Sequence, residues 1–137
     1  APFMPLHPTK YAEMLGEKME KNNVKVWLIN TGWSGGEYGT GSRIKLKYTR
    51  AMITAALTGK LNDVEYTNHE VFGLAMPNSC EDVPTEILSP ENTWEDKSMY
   101  DTKANKLAEA FVNNFKQFEE YANEEIISAA PKISQEA

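Results

Sequence analysis

Asn30-Thr31-Gly32-Trp33-Ser34-Gly35-Gly36-Glu37-Tyr38-Gly39-Thr40-Gly41-Ser42-Arg43-Ile44, continuing as Lys45-Leu46-Lys47-Tyr48-Thr49-Arg50, holds five of the eight glycines in a chain of 137 residues. Glycine reaches positive φ and lets a backbone come close to a ligand. A loop of this kind can turn its N–H groups toward an anion. No acidic residue falls between Glu37 and Asp63, whereas Arg43, Lys45, Lys47, Arg50 and Lys60 supply five positive charges. The whole chain carries −6, which leaves −11 outside this island. A basic island in an acidic chain points to an anionic partner met locally, such as a nucleotide or a carboxylate, and away from a polyanion wrapped around the fold.

The flanks of this stretch set the fold class. Val24 to Ile29, VKVWLI, is β-branched, aromatic and nearly continuous, the pattern of a strand buried on both faces. Before it, Tyr11, Met14, Leu15 and Met19 recur at helical spacing and predict a helix from Thr9 to about Lys21, with Thr9 as cap or Pro8 in its first turn and Asn22 and Asn23 as its end. After it, Arg43 to Lys47 alternates charge with Ile44 and Leu46, as a short strand or extended arm would, with Lys45 and Lys47 facing solvent. A second helix is expected from Thr49 or Arg50 to Thr58, with Met52, Ile53, Ala56 and Leu57 inward, Thr49 available as its cap and Gly59 as its stop. Helix, strand, glycine-rich loop and helix in that order make an α/β fold, and in open α/β sheets the ligand sits beyond the carboxyl ends of the strands.

Farther on, Val64, Tyr66, Val71, Phe72, Leu74 and Met76 suggest one or two strands ending at Pro77. Residues 78–90 read as a loop with a short turn at Thr85 to Leu88. Ala104, Leu107, Ala108, Phe111, Val112, Phe115 and Phe118 step by three and four along a packing helix from about Asp96 to Tyr121. A short helix over 123–130 and a frayed tail over 132–137 complete the chain, whose first eight residues contain three prolines and are expected to be extended. The expected architecture is a single α/β domain over 1–137, a small mixed sheet packed by about three to four helices.

Composition narrows the function. Hydrophobic residues make up 41% and charged residues 25%, ordinary values for a folded domain. A pI near 5.0 argues against nucleic acid as a partner. No apolar run approaches the roughly 20 residues that span a bilayer and the start has no signal-peptide pattern, so no membrane partner and a cytoplasmic setting are expected. Cys80 is alone, which agrees with a reduced compartment, and Glu81 and Asp82 beside it would raise its thiol pKa, so it reads as structural. His7 and His69 form no metal-spaced pair and also read as structural; Glu81, Asp82 and Glu86 read as a solvated loop before they read as metal ligands.

Two standard phosphate motifs fail when tested literally. Gly36 to Gly41 has the spacing that opens a Walker A loop, but Ser42 and Arg43 follow where Lys and Ser/Thr are required. Gly36, Gly39 and Gly41 give G-x-x-G-x-G, the reverse of the dinucleotide fingerprint. On spacing alone a ligand loop and a long connection between two elements both stay open.

Longer motifs go further. Asn30-Thr31-Gly32-Trp33, Gly35-Gly36-Glu37-Tyr38-Gly39, Gly41-Ser42-Arg43-Ile44 and Thr49-Arg50 resemble the C-terminal part of the ATP-utilising phosphoenolpyruvate carboxykinases. Leu6-His7-Pro8-Thr9-Lys10-Tyr11-Ala12, Asn113-Asn114-Phe115 and Ala129-Ala130-Pro131-Lys132 extend the resemblance over essentially the whole chain. That resemblance implies the C-terminal portion of the family's mononucleotide-binding domain. It implies the conversion of oxaloacetate and ATP to phosphoenolpyruvate, ADP and carbon dioxide in gluconeogenesis, with divalent metal (Mg2+ or Mn2+). It also implies that Arg43 and Ile44 lie beside the adenosine and that Thr49 makes a further nucleotide contact. A guanidinium stacks on aromatic planes, Ile44 can flank a base and a hydroxyl can hydrogen-bond to it.

The family's triphosphate cradle, metal ligands and oxaloacetate-binding residues lie upstream of the matching region and have no counterpart here. In-line phosphoryl transfer depends on positioning and charge neutralisation at the transferred group, so these residues by themselves are expected to be inactive. The first residue, Ala1 and not Met, suggests a cut chain. A second expectation, from a different class, is a stand-alone non-catalytic binding module derived from the same fold, using the exposed side of the 96–121 helix to dock a partner.

Overall fold

A computed structural model describes residues 3–133. Most of the expected frayed tail and part of the expected extended start lie outside the described residues; at the start of that tail the Lys132 N–H donates to the Val71 carbonyl at 2.7 Å and is not frayed. The elements run α1 (Pro8–Asn22), β1 (Trp33–Ser34), β2 (Ser42–Arg43), α2 (Leu46–Leu57), β3 (Tyr66–Asn68), β4 (Ala75–Pro77), α3 (Thr85–Leu88), a 3-10 turn (Pro90–Thr93), α4 (Lys97–Glu119) and α5 (Glu124–Ser128). The fold is mixed α/β as expected. In place of one small mixed sheet and three to four helices, the described residues form two separate antiparallel ribbons of two strands each, with five helices.

The helix ends follow local chemistry. Pro8 sits in the first turn of α1, where its missing N–H costs nothing, and Asn23 closes the helix in the left-handed region at φ 48. Asp96 caps α4, its carboxylate accepting from the N–H groups of Ser98 and Met99, and the Asn123 side chain accepts from the N–H of Ile126 at the start of α5. The start of α2 differs from expectation. The helix begins at Leu46, the residue at its N-cap position is Lys45, and Thr49 lies inside the helix instead of capping it. Lys45 offers the helix no side-chain cap, so nothing in the sequence marks that boundary.

Val24 to Ile29 is the main departure. It forms no regular element, and no strand pairs with it among the described residues. A strand is a property of two segments, and hydrophobicity alone supplies only one.

Two apolar clusters hold the elements. Ala55, Leu61, Cys80 and Val83 are buried together, with Trp27, Tyr48, Met52 and Ile87 packed around them. Val71, Ala104 and Ala108 form the second, joined by Phe72 and Tyr100, and bring the β3–β4 ribbon onto α4. The inward face of α2 is rotated from the expected stripe. Ala55 is buried, whereas Ile53 is 40% and Leu57 83% exposed. Along α4, Ala104 and Ala108 are buried while Leu107 and Phe111 remain about half exposed.

Candidate functional site

The glycine-rich stretch is itself a hairpin. Trp33 pairs with Arg43 and Ser34 with Ser42, and the N–H of Ile44 donates to the carbonyl of Gly32 at 3.1 Å. The tip closes through the N–H groups of Thr40 and Gly41, both donating to the carbonyl of Glu37 at 3.0 and 2.8 Å. Gly35 and Gly39 take φ values of 78 and 97, which L side chains rarely adopt. Gly41 is required for a different reason: a Cβ there would lie 2.4 Å from the carbonyl oxygen of Gly36 and 2.7 Å from that of Ser34.

Two contacts distant in sequence fix this hairpin to the rest of the molecule. The Ser34 hydroxyl donates to Thr93 Oγ1 at 3.0 Å, and the Lys103 ammonium pairs with the Glu37 carboxylate at the hairpin tip. That ion pair holds the Glu37 carboxyl below the usual carboxylate range, the hydrogen bond from Lys103 being the largest cause. Trp33 and Tyr38 meet edge to face at 5.3 Å, with Tyr38 85% exposed. A short stretch of backbone is thus held against α4 and the 3-10 turn while it presents an aromatic pair to solvent.

Beyond the hairpin the three residues singled out in the sequence fall in different settings. Arg43 ends β2 and is exposed, with no acidic partner among the described residues. Ile44 is half-buried, at the link into α2. Thr49, in the first turns of α2, is 8% exposed. Neither large cavity is lined by any of the three. One, of about 630 Å3, gathers Lys47, Arg50, Thr54, Lys60, Glu81 and Asp82. The other, of about 690 Å3, is mostly apolar and opens between Trp27, Ile29, Met52, Leu61, Met76 and Ile87.

The basic island is only partly free. Lys60 is paired with Glu81, and the Lys47 ammonium lies 4.8 Å from the centre of the Tyr48 ring. Arg43, Lys45 and Arg50 make no ion pair among the described residues. Glu81 is thus occupied by a cation, and among the described residues no three His, Cys, Asp or Glu side chains converge where they could hold a metal ion.

The remaining polar residues are structural in their geometry. Cys80 is buried, and its thiol pKa is raised first by that burial and then by Asp82 and Glu81; the sequence identified the second cause and missed the larger one. His7 stands at the N-cap position of α1 with its ring 4.6 Å from that of Tyr121 and 5.8 Å from that of Phe118. His69 lies just past β3, with Nδ1 accepting from the N–H groups of Val71 and Phe72 at 3.2 and 3.3 Å and Nε2 2.6 Å from the Tyr100 hydroxyl. Because Nδ1 accepts twice, the ring proton of this arrangement sits on Nε2 and is donated to Tyr100. Contacts such as Glu37 to Lys103 and Ser34 to Thr93 have no sequence signal, since each partner is a common surface residue.

No helix among the described residues is long and apolar enough to cross a membrane. Residues 1–86 match the family model described as phosphoenolpyruvate carboxykinase. The chain is 70% identical to a phosphoenolpyruvate carboxykinase (ATP) of Flavobacterium johnsoniae over 131 residues, covering 96% of this chain and 24% of that protein. It is 63% identical to the protein of that name from Christiangramia forsetii, with 96% and 25% covered. It is 51% identical to that of Dictyostelium discoideum, with 98% and 24% covered. The chain therefore spans about a quarter of the length of the curated relatives it matches.

Proposed function

Because this chain belongs to the phosphoenolpyruvate carboxykinase family, we propose that it forms the nucleotide-side portion of an ATP-utilising enzyme that converts oxaloacetate and ATP to phosphoenolpyruvate, ADP and carbon dioxide in the cytoplasm. Arg43 and Ile44 lie beside the adenosine in this reading and Thr49 supplies a further contact. The observation that carries it is the anchored hairpin: pinned by Ser34 and Glu37, it ends on an exposed Arg43 that no acidic side chain among the described residues claims. A guanidinium so held can lie flat on an adenine ring, with Ile44 excluding water at its edge. Thr49 reaches the nucleotide only through the small part of its surface left open.

Transfer of the phosphoryl group requires charge neutralisation by metal and a phosphate cradle. Those groups come from the part of the enzyme outside these residues, as do the residues that hold oxaloacetate. The catalytic role of this chain is to position the nucleotide.

Arg43→Ala in the full-length enzyme tests the assignment. Losing a stacked guanidinium of about 1–2 kcal/mol weakens ATP binding by roughly 5- to 30-fold, read by calorimetric titration of the variant with ATP. Unchanged affinity would remove Arg43 from the site. The stand-alone binding module remains the second reading, motivated by Ser42 and Arg43 standing where a phosphate loop would carry Lys and Ser/Thr. It requires that the natural gene encode no phosphate cradle upstream of Ala1, which the coding sequence decides.

A further inference from the structure

Arg43 stands on a ribbon that the body of the molecule holds at two points. In the antiparallel pairing Trp33 faces Arg43 and Ser34 faces Ser42, so Arg43 lies one register step from Ser34. The Ser34 hydroxyl donates to Thr93 Oγ1 at 3.0 Å, and the Thr93 hydroxyl donates in turn to the carbonyl of Pro90 at 2.6 Å. One proton on each hydroxyl satisfies both bonds. The backbone closes on the same point: a Cβ at Gly35 would lie 2.7 Å from the Thr93 carbonyl oxygen, and Gly35 has φ 78. At that approach only glycine fits. At the tip of the hairpin, Glu37 pairs with Lys103 of α4.

Both anchors belong to one unit. Thr93 ends the 3-10 turn, and that turn is tied to α4 by the Lys97 ammonium on the Glu91 carboxylate at 2.6 Å and by the rings of Trp94 and Tyr100, edge to face at 5.8 Å. A ribbon held at one point can pivot about it; a second point removes the pivot. Between Ser34 and the tip lie Gly35 and Gly36 at φ 78 and 143, so the backbone there has little stiffness of its own. Among the described residues no backbone hydrogen bond joins 35–41 to anything outside the hairpin. The Lys103 and Glu37 side chains are 44% and 69% exposed, and an ion pair so solvated adds little to global stability. Its effect is geometric, because it holds the end of the hairpin that the Thr93 contact does not.

We infer that Thr93 and Lys103 are positioning residues for the nucleotide: together they set the orientation of the hairpin and, through it, where the Arg43 guanidinium stands. This rests on the reading of Arg43 as a nucleotide contact. Neither Thr93 nor Lys103 touches the ligand; both act through Arg43. A hairpin that swings holds the guanidinium against the ring for only part of the time, and apparent affinity falls in proportion to the competent fraction. Stacking of a planar guanidinium depends on its angle as well as its distance, so the loss falls on ATP and not on oxaloacetate, which the rest of the enzyme holds. The loss also has a ceiling, since releasing an anchor cannot cost more than removing Arg43 itself.

Calorimetric titration of the full-length enzyme with ATP tests it. Thr93→Val keeps the shape of the side chain and removes its hydroxyl; Lys103→Met keeps the stem and removes the charge. Each is expected to weaken ATP binding by about 2- to 5-fold, with KM for oxaloacetate unchanged, while Lys103→Arg retains the native affinity. The melting temperature of Lys103→Met should stay at the native value, which separates lost positioning from lost folding. In an Arg43→Ala background neither change should have a further effect, because both act through the group already removed. Native affinity in both anchor variants overturns the inference, and so does a loss that persists undiminished once Arg43 is gone. If Arg43→Ala weakens ATP binding and the anchor variants do not, the assignment of Arg43 stands and only the anchoring role falls; if Arg43→Ala has no effect, both fall.

Discussion

Residues 24–29 and residues 66–77 are both rich in aromatic and aliphatic side chains, yet only the second stretch pairs with itself. In β3–β4, Tyr66 lies opposite Pro77, Thr67 opposite Met76 and Asn68 opposite Ala75, and the N–H of His69 donates to the carbonyl of Leu74 at 2.8 Å. The turn between them carries its own reasons to close: Gly73 at φ 66, and a histidine ring that takes two backbone N–H groups. Val24–Ile29 is flanked by α1 and by the glycine-rich hairpin, and both are already occupied with their own bonds. The hairpin supplies its partner seven residues away; Val24–Ile29 has none among the described residues. Composition reports how strongly a segment seeks burial, and the neighbouring turn decides whether it can be satisfied locally.

The largest break in this contrast comes from His69→Ala. It leaves the N–H groups of Val71 and Phe72 without their acceptor and the Tyr100 hydroxyl without its ring partner. Loss of a buried or half-buried set of hydrogen bonds costs about 1–3 kcal/mol, measured by urea unfolding of the full-length protein. His69→Asn is expected to recover part of the loss, because an Asn side chain can accept from the N–H two residues on but is too short for Tyr100. A double-mutant cycle with Tyr100→Phe then isolates the bond between the hairpin and α4. Equal losses for Ala and Asn would show that the turn does not depend on the ring.

What could be read in the sequence follows the same division. α1, α4 and α5 were legible because their signals are local: Pro8 and Asn23 at the ends of one, Asp96 and Asn123 at the starts of the others, with a 3.6-residue apolar period between. The start of α2 was not, because Lys45 is no cap. The first hairpin was read as a loop, since Trp33–Ser34 and Ser42–Arg43 are too short to show alternation, although Gly35, Gly36 and Gly39 between them are the turn residues that would have suggested it. The exposed Ile53 and Leu57 on α2 and the rotation of its inward face depend on what lies against that helix, a tertiary matter that no window of sequence contains. The order of Arg43, Ile44 and Thr49 was legible from motif resemblance; their differing exposure was not.

Gly73→Ala sharpens the comparison at smaller cost. A Cβ at Gly73 meets no heavy atom within 4 Å, so only the backbone angle objects. Holding an L-residue in the left-handed region costs about 1 kcal/mol, and the unfolding midpoint should fall by the corresponding amount. Exchange in 66–68 should quicken while that of 25–29 is unchanged, because no backbone hydrogen bond joins the two segments among the described residues. If both quicken together, the two regions belong to one cooperative unit and the contrast between them is smaller than their hydrogen bonds suggest.

The smallest effect is a pH dependence carried by α4, the surface on which the β3–β4 ribbon packs. The Asp96 carboxyl is held below its usual range, first by the Ser98 hydroxyl and then by the N–H groups of Ser98 and Met99. A carboxyl whose folded pKa is depressed stabilises the fold above its unfolded pKa and loses that contribution as pH falls through the folded value. Asp96→Ala is therefore expected to be less stable than the native chain at pH 7, with the difference narrowing below about pH 4 as the native carboxylate takes up its proton. Urea midpoints of the two full-length proteins between pH 7 and pH 2.5 give the measurement; a constant gap would mean that the cap works by shape and not by charge. Because Tyr100 sits one turn into the same helix and bonds to His69, weakening the cap should quicken exchange in the hairpin first. Residues 25–29 receive no bond from α4 among the described residues, and their exchange should not follow the titration of Asp96.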